Sequence, residues 1–454
     1  MRDIAASMRG YYLKTWRYGR DTENLIEEAL ERENWSSARF RNWQEERLSY
    51  ILHRAASQVP FYRAHWNKRR AHGDHSSWEV LENWPILKKT TLRENTFAFI
   101  ADDCDIRRMY RDQTSGTTGT PLSIYLSRKT LHEWYALYEA RIRRWHDVSI
   151  KERWAILGGQ LIVPAAQTKP PYWVHNFSLN QLYLSSQHVS KRNAKWFIKA
   201  LRDFAPTHMV AYPSSAAILA SAIRDEKIEV PSIKVFFSNA ETLLPSQSST
   251  ISESFQCPVV DTYGLGEYAC GASECRNGAM HIWPEVGFIE LFDKFIDQLI
   301  SNGSPGRLIV TGLLNPDMPL IRYDTGDIVN SISSETSCAC QRNLPVFNEL
   351  QGRLRDSLIT SNGRFIFWLN PVFYGIPIQE AQIIQDSFDQ VRVRYVPTPF
   401  FSQTDAKVII KRLQDRMGSI DVVLESCQEI PREPNGKFRS VICNLSEDER
   451  VSIR

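Results

Sequence analysis

The stretch Gln113-Thr114-Ser115-Gly116-Thr117-Thr118-Gly119-Thr120-Pro121 concentrates hydroxyls on a segment that two glycines free to turn tightly. Backbone N–H groups and hydroxyls in such a turn can donate several hydrogen bonds to phosphate oxygens. It is not a G-x-x-x-x-G-K-[ST] loop, because Thr120 and Pro121 follow Gly119 where that pattern needs a lysine. Taken alone it also reads as a Ser/Thr/Gly surface turn. Three further clusters carry possible chemistry. In Tyr263-Gly264-Leu265-Gly266-Glu267 the glycines let the backbone pass close to a ligand, the tyrosine offers a ring face to a base, and the carboxylate suits a hard cation. Leu320-Ile321-Arg322-Tyr323-Asp324-Thr325-Gly326-Asp327 ends an apolar run in two acids and an arginine. An acid there suits bidentate bonding to ribose hydroxyls, although Asp-Gly sequences also make plain turns. Near the end of the chain, Pro431 and Pro434 stiffen a turn that carries Lys437, which by itself is equally a solvated surface turn.

The elements that must position these residues follow from patterning. From Thr22 to about Arg70 apolar residues recur at helical spacing, as in Leu48, Ile51, Leu52 and Ala55, so a helical lobe is expected over about 1–100, broken at Val59-Pro60. Lys129 to Arg144 is an amphipathic helix candidate and Ala155-Ile156-Leu157 a short buried strand. A strand-helix rhythm follows: helix at Ala194–Phe204, strand at His208–Tyr212, helix at Ser214–Asp225, strand at Lys234–Ser238, helix at Ser246–Phe255 and strand at Cys257–Tyr263. Such alternation argues for an α/β fold with mainly parallel sheets, whose ligands collect at the carboxyl ends of the strands. The loops beginning at Tyr212, Ser238 and Tyr263 all fall there. From His281 to about Ile332 the pattern becomes strands and turns, and the last hundred or so residues form a small α+β unit beginning near Gly352-Arg353-Leu354-Arg355-Asp356. The expected division is 1–352 and 353–454.

Composition limits the function classes. The chain has 454 residues, enough for two or three domains, with 43% hydrophobic and 24% charged residues. With 55 basic and 52 acidic residues it is close to neutral, which argues against nucleic acid as the main partner. No run reaches the roughly 18 apolar residues of a membrane span, and Arg2, Asp3, Arg9, Lys14, Arg17 and Arg20 interrupt the N-terminus. Eight cysteines without a signal peptide point to reduced thiols or metal ligands in the cytosol.

Taken in order, these motifs resemble the adenylate-forming (ANL) ligases, in the branch that holds phenylacetate-CoA ligase and the CapK-type proteins of capsular polysaccharide clusters. The resemblance spans nearly the whole chain. It runs from Ile51–Arg63 through the Ser115–Pro121 loop, Ala211–Ser215, Ser238-Asn239-Ala240-Glu241, Tyr263–Glu267 and Met318–Asp327 to Gly352-Arg353 with Asp356 and Pro434–Arg439. It implies an acyl-CoA synthetase-like fold with a small mobile C-terminal domain, and a two-step reaction. A carboxylate attacks the α-phosphate of ATP to give an acyl-adenylate, and an acceptor then displaces AMP.

By motif, the resemblance implies that Ser115, Gly116, Thr117, Thr118 and Gly119 grip the phosphates and Glu267 binds Mg²⁺. It implies that Tyr263 stacks on adenine beside Gly264 and Ser238, Ala240 and Glu241, that Asp327 with Arg353 serves the nucleotide ribose, and that Lys437 bridges the reacting carboxylate and the α-phosphate. Thr118, Glu267 and Lys437 are thus the expected catalytic residues, and Arg355 and Asp356 the pivot. The acceptor is expected to be CoA; an amine, a carrier-protein thiol or a sugar amino group is the alternative, and a non-catalytic scaffold the third reading. A scaffold has no chemical reason to keep Glu267, Asp327 and Lys437. Cys275, His281, Cys338 and Cys340 supply three thiols and an imidazole for a structural Zn²⁺, a reading supported by similar residues in this branch, with Cys270 in reserve. Trp134, Tyr138, Tyr212 and Trp283 are candidates for the acid pocket, and relatives of this kind make a homodimer a further expectation.

Overall fold

The computed structural model describes residues 1–114, 122–294, 296–333, 338–353, 357–361, 365–366, 369–433, 436–446 and 449. The chain opens with four helices: α1 (Arg2–Arg17), α2 (Thr22–Arg32), α3 (Ser37–Gln58) and α4 (Pro60–Ala71). Ser36 caps α3 by accepting from the Arg39 N–H at 3.2 Å, and Pro60 opens α4 at the one position where a missing N–H costs nothing. The break expected at Val59-Pro60 is therefore the junction of two helices. The helix α1 lies within the expected lobe but precedes the periodic stretch from Thr22 to about Arg70. It is tied across the chain to the strand Trp173–Asn176, where Asp3 Oδ1 accepts from the His175 N–H at 2.9 Å and Ser7 Oγ from the Phe177 N–H at 3.0 Å.

Gly10 permits that docking, because a Cβ there would come within 2.0 Å of Asn176 Oδ1. Gly10→Val is therefore expected to lower stability by about 1–3 kcal/mol, although replacing a glycine inside a helix normally helps. Thermal melting checks this, and an unchanged or raised midpoint would show that α1 is not seated against Asn176.

Beyond the helical lobe, β1 (Tyr110–Thr114) and β2 (Leu122–Leu126) pair as an antiparallel hairpin, and α5 (Lys89–Glu94) and α6 (Arg128–Tyr138) flank it in sequence. The strand-helix rhythm then builds β3 (Trp154–Gly158), β4 (Trp173–Asn176), β5 (Gln181–Ser185), β6 (His208–Ala211), β7 (Val235–Ser238) and β8 (Val259–Val260). These form one six-stranded sheet in the order β4-β5-β3-β6-β7-β8, parallel except for the edge strand β4. Its buried strands read as apolar runs because helices α7 (Ala194–Phe204), α8 (Pro213–Glu226) and α9 (Pro245–Phe255) pack with it in one core containing Leu157, Phe197, Met209, Leu219, Phe236 and Phe255.

Apart from an isolated Leu87–Tyr323 bridge, parallel pairing among the described residues before Leu358 is confined to that sheet. Strand β9 (Thr262–Gly264) leaves it at Asp261 and joins an antiparallel sheet with β10 (Gly271–Glu274), β11 (Met280–Ile282), β15 (Ile332–Ser333) and β16 (Val346–Phe347). The single strand read over Cys257–Tyr263 is thus two strands in two sheets. Strands β12 (Gly287–Phe292), β13 (Gly306–Gly312), β14 (Tyr323–Val329) and β17 (Leu350–Arg353) make a second antiparallel sheet. Toward the C-terminus come a small hairpin of β18 (Leu358–Ile359) with β19 (Phe365–Ile366) and a sheet of β20 (Ile378–Gln385), β21 (Gln390–Pro397), β22 (Asp421–Ser426) and β23 (Val441–Cys443). Helix α10 (Gln403–Met417), closed by a Ser402–Asp405 capping box, completes an α+β unit whose core of Leu358, Ile383, Val393, Ile409 and Leu413 is its own. Among the described residues no helix is long and apolar enough to cross a membrane.

Candidate active site

The carboxyl ends of the parallel strands form the floor of the site. Strand β7 ends on Ser238, whose hydroxyl donates to Asp261 and whose carbonyl accepts from Thr262 Oγ1 at 2.6 Å. Burial pushes the Asp261 carboxyl up to about 6, with Glu274 adding repulsion and the Ser238 hydroxyl opposing it. This contact fixes the crossing from the parallel sheet into β9, so Ser238 acts on the backbone that carries Tyr263. Asp261 was not among the residues singled out in the sequence. Its only local signal was its place at a strand end.

Tyr263 Oη donates to Asp327 Oδ2 at 2.7 Å, and the Tyr263 ring meets Phe347 edge-on at 5.8 Å. Asp327 is 6% exposed and stands opposite Arg353 in the β14–β17 ladder. The two acids of the Leu320–Asp327 motif separate in role. Asp324 pairs with Arg307 at 3.0 Å and accepts from the Gly326 N–H in a turn, whereas Asp327 joins Tyr263. Arg322 points away from this cluster. Held at φ +50°, it bonds Glu290 through two 3.0 Å contacts and donates to the Glu82 and Trp84 carbonyls, stitching the helical lobe to the sheet.

Glu267 is buried, and its Oε1 accepts from Lys89 Nζ and from Tyr323 Oη, each at 2.8 Å. Lys89 reaches it from α5, a link across nearly the whole lobe that no local pattern announces. One buried carboxylate oriented by two donors fits a hard cation that keeps most of its ligands as water and phosphate. The hydroxyl-rich loop, with Ser115, Gly116, Thr117, Thr118 and Gly119, lies outside the described residues, but its ends are fixed by the Thr114–Leu122 pairing. Thr114 packs against Gly266, where a Cβ would come within 2.9 Å of its methyl group. Its buried Oγ1 has no hydrogen-bond partner among the described residues, which fits an anion seated at the mouth of that loop.

Lys437 arrives over the carboxyl ends of β3 and β5. Its carbonyl accepts from the Glu433 N–H at 2.9 Å and the Gly436 N–H donates to the Glu433 carbonyl at 2.8 Å, closing a tight turn. Gly436 has φ +77°, and a Cβ would strike Ser186 Oγ at 2.5 Å with Gly159 Cα at 3.6 Å, so only glycine lets the turn lie against the ends of β3 and β5. Glu241 clamps it. One carboxylate accepts from the Ser214 N–H and hydroxyl at 3.1 Å, at the N-terminus of α8, and from the Phe438 N–H at 2.6 Å. Burial raises the Glu241 carboxyl, and the Phe438 and Ser214 hydrogen bonds oppose that shift. Glu241 therefore joins the C-terminal unit to the parallel sheet, a contact between residues 197 apart. Ala240 adopts φ +64° in the turn that presents it. Arg353 belongs to β17, and Arg355 and Asp356 lie outside the described residues.

Of the aromatic candidates, Trp134 and Trp283 pack together at 5.6 Å, and Trp134 lies 3.9 Å from where a Gly264 Cβ would stand. Tyr212 follows β6, its N–H bonded to the Leu157 carbonyl at 3.1 Å. Tyr138 instead lies 4.9 Å beneath the Arg143 guanidinium, which is paired with Glu139.

Cys275, His281, Cys338 and Cys340 form a second centre, with their ligand atoms all within 4.8 Å of one another. The Cys275 and Cys338 sulfurs are 3.6 Å apart, far beyond a disulfide bond and suited to two thiolates on one tetrahedral ion. His281 Nδ1 faces the Leu344 carbonyl at 3.1 Å, turning Nε2 toward Cys340 Sγ at 3.2 Å. Pairing of β11 with β16 brings the two halves together. Cys270 is buried elsewhere, close enough to Asp327 to feel its charge, and is not part of the cluster.

A parallel sheet joined to two antiparallel sheets that carry a buried acid and a tyrosine–aspartate pair, with a lysine-bearing turn of a separate small unit laid on the parallel strand ends, is the architecture of the adenylate-forming (ANL) enzymes. The chain belongs to the AMP-binding enzyme family, whose model matches residues 37–290, and a CapK C-terminal domain matches residues 358–444. Protein CapK of Staphylococcus aureus is 27% identical, covering 88% of this chain and 89% of its own. Phenylacetate-coenzyme A ligase of Thermus thermophilus is 25% identical over 89% of this chain and 96% of its own. Among solved structures, 2-hydroxyisobutyryl-CoA ligase in its postadenylation state shares the fold with a TM-score of 0.69 at 19% identity, covering 93% of each chain. The same enzyme in its thioesterification state gives 0.54 over 91% of each chain.

Proposed function

We propose that the protein is an ATP-dependent, AMP-forming acid ligase, with residues 1–352 binding ATP and the acid and residues 353–454 carrying Lys437. The observation that carries this reading is the docking of the Lys437 turn, through Gly436 and Phe438, on the carboxyl ends of the parallel strands, the side on which Ser238 and Asp261 lead the chain across to Tyr263. In the first step a carboxylate oxygen bonds to the α-phosphorus of ATP and the bond to the bridging oxygen breaks, releasing pyrophosphate. The Lys437 ammonium sits between the two approaching anions and offsets charge that gathers on the α-phosphate. Asp327 receives the ribose hydroxyls, Tyr263 covers adenine with Gly264, Ser238 and Ala240 shaping that side, and the loop at Ser115–Gly119, Thr118 included, holds the phosphates. Mg²⁺, where bound at Glu267, supplies countercharge to the phosphates.

In the second step the thiolate of CoA attacks the acyl carbon and AMP leaves, after the small unit has turned about Arg355 and Asp356. The CoA-ligase relatives support a thiol acceptor. Cys275, His281, Cys338 and Cys340 would hold a Zn²⁺ ion with four protein ligands and leave it no position for substrate, so its role would be structural.

The test is acid-dependent exchange of labelled pyrophosphate into ATP, with pools of aryl, aliphatic and amino acids and no acceptor. Exchange with one pool is expected. Silence from every pool, while ATP binds, would overturn the reading. Adding CoA or amines to the active pool then reads the acceptor as thioester or amide.

A further inference from the structure

Helix α1 is apolar on two sides and buries one of them. Ala6, Gly10 and Leu13 recur at helical spacing on the side turned to β4 and α6, and all three are buried or half-buried. The opposite side presents Ile4, Met8, Tyr11 and Tyr12, at i, i+4, i+7 and i+8, and these are 52–70% exposed. Phe177 stands beside them at 68% exposure, held there by its N–H to Ser7 Oγ at 3.0 Å and by Ser178 Oγ to the Ser7 carbonyl at 2.8 Å. Tyr12 closes the other flank, its ring 6.3 Å from Trp16 and 6.4 Å from Tyr110. A surface helix normally turns polar side chains to water on its outer face, so contiguous exposed apolar side chains mark a contact surface.

The border of that face is basic. Residues 1–20 hold five basic residues and one acidic, whereas the whole chain totals only +3. At about 100° per residue, Arg2 and Arg9 fall along one edge of the apolar face and Lys14 along the other, with Arg20 just past the helix. All four are exposed, and among the described residues none of them is ion-paired. Arg2 donates to the neutral Gln167 at 2.8 Å. The acids close by in the chain are committed elsewhere: Asp3 accepts from the His175 N–H at 2.9 Å, and Asp21 faces His132 Nδ1 at 3.0 Å. Exposed Arg128, 4.9 Å from the Trp16 ring, adds a cation on that flank.

This combination of charges selects the occupant. A second copy would set the face against itself across a two-fold axis, bringing the basic edges of two α1 helices together. A bilayer with anionic headgroups instead buries the apolar side chains at the acyl boundary, seats tyrosines at the interface and offers phosphates to the bordering cations. We infer that α1, with Phe177, is a membrane-surface helix that docks the protein on anionic lipid. The helix lies in the plane of the surface and spans nothing, and Arg2, Arg9 and Lys14 extend their polar ends to the headgroups. Because Gly10 seats α1 against Asn176 of β4, the docked helix is joined firmly to the parallel sheet.

The experiment is co-sedimentation of the full chain with vesicles of phosphatidylcholine, alone or with about one-third phosphatidylserine, at low ionic strength and at about 1 M salt. The wild type is expected to bind the anionic vesicles about tenfold or more tightly than the neutral ones. Most of that preference should vanish at high salt, where the Debye length falls to about 3 Å. Met8→Gln with Tyr11→Gln should weaken binding by about tenfold or more at an unchanged melting temperature, since neither side chain is buried. Arg9→Gln with Lys14→Gln should remove the preference for anionic lipid. Absence of binding to either vesicle, or binding that both double variants leave unchanged, overturns the inference. So does a dimer that dissociates in Met8→Gln with Tyr11→Gln while the wild type ignores vesicles, which assigns the face to a second copy. Binding to polyglutamate without binding to vesicles likewise overturns it and assigns the face to an acidic protein.

Discussion

Lys437→Ala is expected to lower acyl-adenylate formation by about 100- to 1,000-fold, the range seen when one preorganised donor is removed from a developing negative charge. The melting temperature should stay nearly constant. The turn that carries Lys437 is held by backbone groups: the Glu433 N–H to the Lys437 carbonyl, the Phe438 N–H to Glu241, and Gly436 against Ser186. None of these depends on the lysine side chain. The defect should also be specific to one step, since thioester formation from a supplied acyl-adenylate needs the small unit in its other orientation. Pyrophosphate exchange reads the first step and AMP release from preformed adenylate the second. Equal losses in both, or adenylation at the wild-type rate, would remove Lys437 from the assigned role.

The paired substitution Cys338→Ser with Cys340→Ser should release the bound metal and lower the melting temperature by on the order of 10 °C, because binding energy at a closed zinc site is folding energy. The cluster joins two segments that share no other covalent tie. Cys275 and His281 lie on the β10–β11 hairpin and Cys338 and Cys340 on the turn leading to Leu344, which packs with Phe40 and Trp145. The same turn reaches α2 and the residues after it through Arg342 to Glu33 at 2.9 Å and the Asn343 N–H to the Glu33 carbonyl at 2.9 Å. Loss of the ion should therefore loosen the seat of the helical lobe as well as the hairpin. Metal analysis of the wild type should give about one zinc per chain, and Cys270→Ser should retain it. Wild-type protein purified without chelator and free of zinc would end this assignment.

Local chemistry made several elements legible in the amino-acid sequence. Apolar runs at His208–Tyr212 and Lys234–Ser238 between amphipathic helices specified a parallel sheet, because strands buried on both faces cannot alternate. Pro431 and Pro434 announced the turn that carries Lys437, and the motif order announced the family; the left-handed conformation of Gly436 came with the structure. Cys275 with His281 and Cys338 with Cys340 were readable as two pairs of candidate metal ligands.

What the sequence left open involved contacts between distant segments, which no periodicity encodes. The split of Cys257–Tyr263 at Asp261 arises because Ser238, on a different strand, holds that carboxylate and redirects the chain. Arg322 sat in a candidate ligand motif, yet tertiary packing spends it on Glu290 and on two carbonyls of the helical lobe. Glu267 became a buried acid oriented by Lys89, and Glu241 became a clamp on the Lys437 turn, only once α5 and the C-terminal unit had docked. Arg17 was one charge among several at the N-terminus until α1 packed on β4 and α6 and set its guanidinium over the Tyr135 ring. The sequence by itself determined which turns, strands and helices form, since those depend on neighbours in the chain; the tertiary structure decided which charges face a ligand and which face each other, since that depends on what burial leaves unpaired.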